Sequence, residues 1–471
     1  MTMLDAAARP LSISRTLALQ ARATRLDDLS AATRDKLKVC LLDFLSCAFE
    51  AADLPWSREA ASVAPRTSEG ATIIGTSVTT PVGDAAFANA TAGHGLVRED
   101  MHAASIGHHG VVIWPVLLAL SQRAPVSGAA FLTAAAVGYE VGGRLGRALF
   151  NADLARLFRP TGLLGPIAGA AAGSRLLDLS ENQSASALAL GANASGGLNQ
   201  WPHEGSSDMY FHPGFAARAA ILSVDLARAG AMGSDYILEG EAGLAMAFRR
   251  SPLSQPVTLF PRGQAEVLAV YNKPAPACNF AQTATQAALR VAQQIDGRET
   301  IREVTVLLPE AAIRYPGCDF AGPYERALQA KMSIQYGVAA ALVRGAVEED
   351  NYRRLDAPEI LRVAALIRLE RDAEFTARFP AAQGAEVVVQ LAGGATISRR
   401  LPDVIPATES EIRQRFRLAA GAVIGAGRAE EIEERVDELE RSADAGRIAA
   451  LCATPSDSAM RAAATANSLH A

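Results

Sequence analysis

The sequence predicts two domains: a large all-helical domain built from both chain ends, and a smaller α+β domain inserted between them. Three observations lead there. Helical spacing dominates the first ~265 residues, strand patterns enter near residue 267, and helical spacing returns around residue 408. A chain of 471 residues is also too long for one small core. The expected boundaries are 1–266 and 405–471 for the helical domain and 267–404 for the insertion.

In chain order, Leu37, Cys40, Leu41, Phe44, Leu45 and Ala48 repeat at helical spacing after a cap at Ser30. Leu132, Val137, Val141, Leu145 and Leu149 do the same beyond Ser127. The segment 162–173 sets Gly162, Gly165, Gly169 and Gly173 among alanines, which suits close helix packing. Phosphate cradling is the sharper alternative, but neither phosphate-binding glycine motif occurs. Residues 303–308 read as a strand, and 386–401 as two strands around Gly393 and Gly394. A helical stretch follows Lys331. The insertion is then about 140 residues, a normal domain size. Thr408 with Glu411 matches a capping box, and Ile432, Val436 and Leu439 form a last stripe. This closing segment is expected to pack back on the first helices. From about Thr454 onward the chain is small and polar and is expected to fray.

Composition removes several functions. A net charge of −5 with 20% charged residues gives no basic field for nucleic acid. No apolar run reaches the ~18 residues of a membrane span, and no signal-peptide pattern opens the chain. Five scattered cysteines without C-x-x-C fit a reducing compartment, so the expected location is cytoplasmic.

Lysine occurs only at Lys36, Lys38, Lys273 and Lys331, although Lys and Arg together number 45. Lys273 and Lys331 are either survivors of an Arg-rich chain or functional cations, since lysine readily shifts its pKa. Four of the seven histidines, His94, His102, His108 and His109, fall within sixteen residues. This polar, glycine-containing stretch suits proton transfer or anion binding. A metal site is the rival, but the spacings match no standard ligand set. His203 and His212 flank a second polar stretch, in which His212 before a proline reads equally as structural. Residues 158–162 form a polar turn whose helix-start amides suit a carboxylate. Lys273 and Cys278 share a proline-restricted loop where the two domains meet, a usual place for a ligand cleft. Cys278 alone also reads as a buried, inert thiol. No nucleophile elbow and no flavin, nicotinamide or pyridoxal-phosphate motif is legible.

Taken together, several segments resemble the MmgE/PrpD family over roughly residues 12 to 440. They are Asp43-Phe-Leu-Ser-Cys47, Ala88-Asn-Ala-Thr-Ala-Gly-His94 with its continuation through Asp100 and His108, Gly138-Tyr-Glu140, Pro160-Thr-Gly162, His212-Pro-Gly214, the loop from Lys273 to Cys278, and Ser333 with Tyr336. The resemblance implies the same helical domain with an inserted α+β domain, a homodimer and no cofactor. Departures from the family pattern steer the chemistry. Dehydratase-like members read H-A-L-D-F-D-D-T where this chain has Val97 for the first acid and Met101 for the threonine. Their H-P-T-G is Arg159-Pro-Thr-Gly here. Met209 replaces a frequent lysine, and Cys278 replaces the decarboxylase histidine.

Dehydration needs a base and an acid for the leaving hydroxide. Epimerisation next to a carboxylate needs only proton removal and return, with cations on the intermediate. Losing Asp and Thr while keeping bases and gaining Arg159 favours the second task. The resemblance therefore points to a cofactor-independent, two-base epimerase of iminodisuccinate. Its expected proton carriers are Lys273 or Cys278 on one face and His108 or His102 on the other. Tyr139 and Tyr271 are outside candidates. Arg98, Arg159, Thr161, His212, Lys331 and Ser333 are the expected contacts to a small polycarboxylate. The alternatives are a dehydratase or decarboxylase of a methylcitrate- or aconitate-like tricarboxylate, and a binding protein that retains the fold without turnover.

Overall fold

A computed structural model describes residues 10–296 and 300–454. The fraying expected past Thr454 and the first nine residues lie outside it.

The described residues are mostly helical, with one larger sheet among them, in the C-terminal part. Helix Ala31–Glu50 starts at Ser30, whose side chain accepts the Thr33 N–H at 3.1 Å. Helix Gly128–Leu149 starts the same way, with Ser127 accepting from Ala130 at 3.2 Å. Each cap satisfies an amide that the first turn leaves open. Gly162, Gly165, Gly169 and Gly173 fall on helix Pro160–Leu176. A Cβ at Gly165 would sit 2.8 Å from the Cβ of Ala216, and one at Gly169 would sit 2.7 Å from that of Ala220. The small residues thus let helix Asp208–Arg228 approach closely.

The closing helices return to the opening ones. Thr408 and Glu411 form the capping box of helix Glu409–Ile424. Its Ile412, Phe416 and Ala420 share one apolar core with Leu37, Leu41 and Phe44, joined by Ile432, Val436 and Leu439.

The sheet runs β1 (Ile301–Leu308), β2 (Ile367–Arg371), β3 (Ala385–Leu391) and β4 (Thr396–Leu401), in spatial order β2-β1-β3-β4. β1 pairs parallel with β2 and antiparallel with β3, Val306 facing Val387. Val304, Val306, Val387 and Val389 are fully buried under helices Gln282–Ala292 and Ile334–Arg344.

The structure departs from the sequence reading at two places. The sequence pattern does not predict β2. The helical stretch expected after Lys331 is helix Ile334–Arg344, and Lys331 itself sits in the last turn of the short helix Ala327–Met332. The stretch around His212 is the beginning of helix Asp208–Arg228, with Pro213 inside it. Pro213 is the sixth residue of the helix, so its missing N–H removes one intrahelical hydrogen bond, to the Met209 carbonyl.

No helix among the described residues is long and apolar enough to cross a membrane.

Candidate active site

The histidine-rich stretch links helix Val82–His94 to helix Gly110–Leu120. Midway, Met101 and His102 pair antiparallel with Tyr271 and Val270. This two-residue ladder brings the stretch against the loop that carries Lys273 and Cys278. A small cavity lies there. His108, Arg159, Trp201, Cys278, Tyr315 and Met332 are among its walls.

Two further wall residues, Val97 and Ile106, hold φ of 57° and 52°. A β-branched residue pays for that conformation, and such strain persists where the surroundings over-determine it.

His108 enters the cavity with a defined tautomer. Its Nδ1–H donates to the Asp100 carbonyl at 2.8 Å and lies 3.1 Å from Glu99 Oε1. That leaves Nε2 as the lone-pair nitrogen. Burial pushes the ring well below its ordinary pKa, partly countered by Glu99. The Thr161 hydroxyl accepts the His108 backbone N–H at 3.1 Å, tying the stretch to the start of helix Pro160–Leu176.

Arg159 is the N-cap of that helix. Its Nη2 donates to His94 Nε2 at 2.6 Å, so His94 carries its proton on Nδ1, facing Glu99. The guanidinium lies 5.4 Å from the centre of the Trp201 ring. Burial lowers the Arg159 pKa, and no carboxylate among the described residues is paired with it.

Lys273 is fully buried and donates to the Val97 carbonyl. Burial draws its pKa down to about 8, against the pull of Glu99 and Cys278. It therefore stands behind the Val97 wall as a buried cation that loses its proton only about a unit above neutral pH. Cys278 moves the opposite way from a typical buried thiol. The Cys318 S–H, 3.6 Å away, favours its thiolate, and Lys273, Arg159 and the Phe280 N–H add to this against the cost of burial.

Four buried polar atoms around this centre have no partner among the described residues: Arg159 Nε, Glu99 Oε2, Tyr210 OH and His212 Nδ1. Buried polar groups are nearly always hydrogen-bonded, so a cluster of orphans marks a place for water or a ligand. His212, held down to about 4 by burial and Arg159, is neutral and available to donate or accept.

The structure does not gather every expected residue here. His102 turns away from the cavity. Its Nδ1 accepts the Ser105 N–H at 3.2 Å and its Nε2–H donates to Glu266 at 2.6 Å, so neither nitrogen is free. Arg98 is committed to Glu50 at 2.6 Å. Lys331 pairs with Glu349 at 2.7 Å between the rings of Trp56 and Tyr352, and also donates to the Gly95 and Leu96 carbonyls. Ser333 caps helix Ile334–Arg344 and donates to the Phe320 carbonyl at 2.6 Å. Lys331 still shapes the wall, because its carbonyl accepts the Cys278 N–H at 2.8 Å. Tyr139 donates to Asp100 and Tyr271 to Asn279, so both hydroxyls are engaged.

Sequence reasoning missed Glu99, which binds both His94 and His108. The only signal was an acid inside the histidine-rich stretch. Among the described residues no group of three or more His, Cys, Asp or Glu is placed to hold a metal ion.

Comparison with known proteins adds lineage to this geometry. The MmgE/PrpD N-terminal domain matches residues 15–255 and the MmgE/PrpD C-terminal domain residues 275–441. A cis-aconitate decarboxylase-like protein, oryM, of Aspergillus oryzae is 30% identical over 461 residues, covering 90% of this chain and 94% of its own. Cis-aconitate decarboxylase of Aspergillus terreus is 25% identical over 472 residues, 91% and 93% of the two chains. The human cis-aconitate decarboxylase is 26% identical over 388 residues, 79% of each.

Proposed function

This chain belongs to the MmgE/PrpD family, and we propose that it is an enzyme moving a proton at a carbon next to a carboxylate of a small polycarboxylate. The carrying observation is that His108 and Cys278 line one buried cavity together with Arg159. The cavity lies where residues 97–201 meet residues 278–332, the seam between the helical part and the insertion in our reading.

In the forward step His108 Nε2 takes the α-proton. The electron pair left on carbon delocalises into the adjacent carboxylate. Arg159 Nε and the Nδ1 of a neutral His212, two atoms without a protein partner, stabilise the resulting dianion, and Lys273 contributes charge from behind. Cys278 S–H then returns a proton to carbon. The opposite stereoisomer results if the two carriers address opposite faces. A neutral imidazole and a thiol poised near neutrality are suited to the exchange. Within this class we favour epimerisation of iminodisuccinate, which needs no leaving group to be protonated.

A second reading is favoured by the three relatives described above, all of which bear cis-aconitate decarboxylase in their names. There a carbon–carbon bond breaks, carbon dioxide leaves with no electron pair, and the pair left on the substrate is protonated by the same Cys278 or His108. The two readings share the cavity and its cations and differ in the bond that breaks.

Proton NMR in heavy water separates them. Deuterium entering the α-position of a single iminodisuccinate isomer, with the other isomer appearing, supports epimerisation. Carbon dioxide from cis-aconitate, or water lost from methylcitrate, supports the lyase reading. No exchange with any of the three overturns the proton-transfer assignment and leaves a binding protein.

A further inference from the structure

The thiol beside Cys278 has no part in the steps above, yet its placement has a chemical consequence. Cys278 faces the cavity, while Cys318 lies behind it, fully buried. Their sulfurs are 3.6 Å apart. Both are pinned to one segment: the Cys278 N–H donates to the Lys331 carbonyl at 2.8 Å, and the Cys318 carbonyl accepts the Ile334 N–H at 2.9 Å. A disulfide requires about 2.05 Å, so the two sulfurs must close by about 1.5 Å.

We propose that Cys278 and Cys318 form a redox-modification site at which a peroxide converts the cavity thiol into a disulfide and stops proton transfer there. The Cys278 thiolate attacks one peroxide oxygen. The O–O bond breaks, hydroxide leaves and takes a proton to become water, and Cys278 becomes a sulfenic acid. The Cys318 sulfur then attacks the Cys278 sulfur. An S–S bond forms, the S–O bond breaks, and the hydroxyl leaves as water with the Cys318 proton. Two thiols are oxidised and one peroxide is reduced to two waters.

The geometry makes the modification selective. Reaction requires thiolate character and access. Cys278 has the cavity and the donated Cys318 S–H, supported by Lys273. Cys40, Cys47 and Cys452 are buried away from the cavity with their thiols pushed up by burial. The paired Cys318 also protects: it captures the sulfenic acid before a second peroxide drives it to the sulfinate.

The test uses the full chain treated with hydrogen peroxide, blocked with iodoacetamide, digested without reductant and mapped by mass spectrometry. We expect a peptide pair joined through Cys278 and Cys318, short of two hydrogens and separated by dithiothreitol, with Cys40, Cys47 and Cys452 still thiols. Cys278 found as sulfinate beside a free Cys318, or Cys278 left unoxidised, overturns the proposal. In Cys318→Ser the same treatment should leave Cys278 as sulfinate that dithiothreitol does not reverse. Where α-proton exchange is measurable, it should be lost in proportion to the cross-linked fraction and return on reduction. Full exchange in the cross-linked protein overturns the claim that the disulfide blocks the site. The peptide map does not depend on the proposed reaction, so a chain silent toward every substrate still shows whether the cross-link forms.

Discussion

His108 faces the cavity and His94 stands behind it between Arg159 and Glu99, whereas His102 and His109, from the same sixteen residues, face helix Gly128–Leu149. The second pair is closed. Ser105 bridges the two rings at 2.8 and 2.9 Å, and Glu266 takes the His102 proton. Burial opposes ionisation of Glu266, but His102 and Arg147 hold it down to about 2, and Arg144 adds a contact at 2.6 Å. A Cβ on Gly142 would stand 2.6 Å from His109 Nδ1, so the neighbouring helix is shaped to this cluster. The first pair is open. Glu99 holds both rings by one oxygen and leaves the other without a partner, as are Arg159 Nε and His212 Nδ1. One loop thus carries a finished polar cluster that fixes its path and an unfinished one that awaits a ligand. Residue type does not distinguish them, but hydrogen-bond completion does.

The sharpest way to break this contrast is to replace one histidine of each pair. His108→Gln should lower α-proton exchange by a factor of about 10²–10⁴, the usual worth of a positioned acid–base group. Its melting temperature should stay near that of the parent. His109→Gln should leave exchange intact and lower the melting temperature. A His109→Gln protein that folds fully and has lost exchange would erase the distinction.

Removing the carboxylate of the closed cluster should act on stability. Glu266→Ala leaves His102 and two arginines without their shared acceptor. Taking one partner from a buried ion pair costs about 3–5 kcal/mol, with the lower end expected because Arg147 is one-third exposed. Urea unfolding reads this directly. Exchange per folded molecule should not change.

Arg159→Gln probes the open cluster from the binding side. Loss of a donor to the developing dianion should reduce kcat/KM by a factor of about 10²–10³. Stability should hold or rise, because a buried guanidinium with no carboxylate partner is removed. A large fall in stability with kcat/KM preserved would make Arg159 a member of the closed set.

Why the sequence revealed some of this and not the rest follows from how local each feature is. Ser30, Ser127 and the Thr408–Glu411 box act within one helical turn, and each is found as expected. Apolar strand-forming runs exposed β1 and β3, and the turn at Gly393 and Gly394 placed β4 after them. β2 escaped because only Ile367 of its five residues is buried, while Arg368, Glu370 and Arg371 face solvent. In the site, His108, Arg159 and Cys278 stood out by rarity or position. Lys331 and Arg98 stood out equally, but they are neutralised by Glu349 and Glu50, partners distant in sequence that no spacing could reveal. The split between His102 and His108 depends on the short ladder with Val270 and Tyr271, which is equally non-local.

The smallest expected effect tests Lys273, which belongs to neither pair and lends the open cluster its charge. Burial lowers its pKa from 10.5 to about 8. Below pH 8 both folded and unfolded chains hold the proton, and the folded chain bears the full cost of a buried cation. Between pH 8 and 10.5 the folded chain gives up the proton first. The unfolded chain then binds more protons, so stability rises with pH. Cys278, also held below its ordinary value, pushes the same way. Above pH 9 the buried Cys40 and Cys47 thiols, which keep their protons in the fold, reverse the trend. Between pH 8 and 9 Lys273 should add about 1 kcal/mol to the unfolding free energy, and comparison with Lys273→Met separates this from the contribution of the cysteines. Lys273→Met should be more stable than the parent at pH 7, with the gap narrowing toward pH 9. A parallel pair of urea midpoints across that range would show that Lys273 does not titrate there, and its charge would then be fixed throughout catalysis.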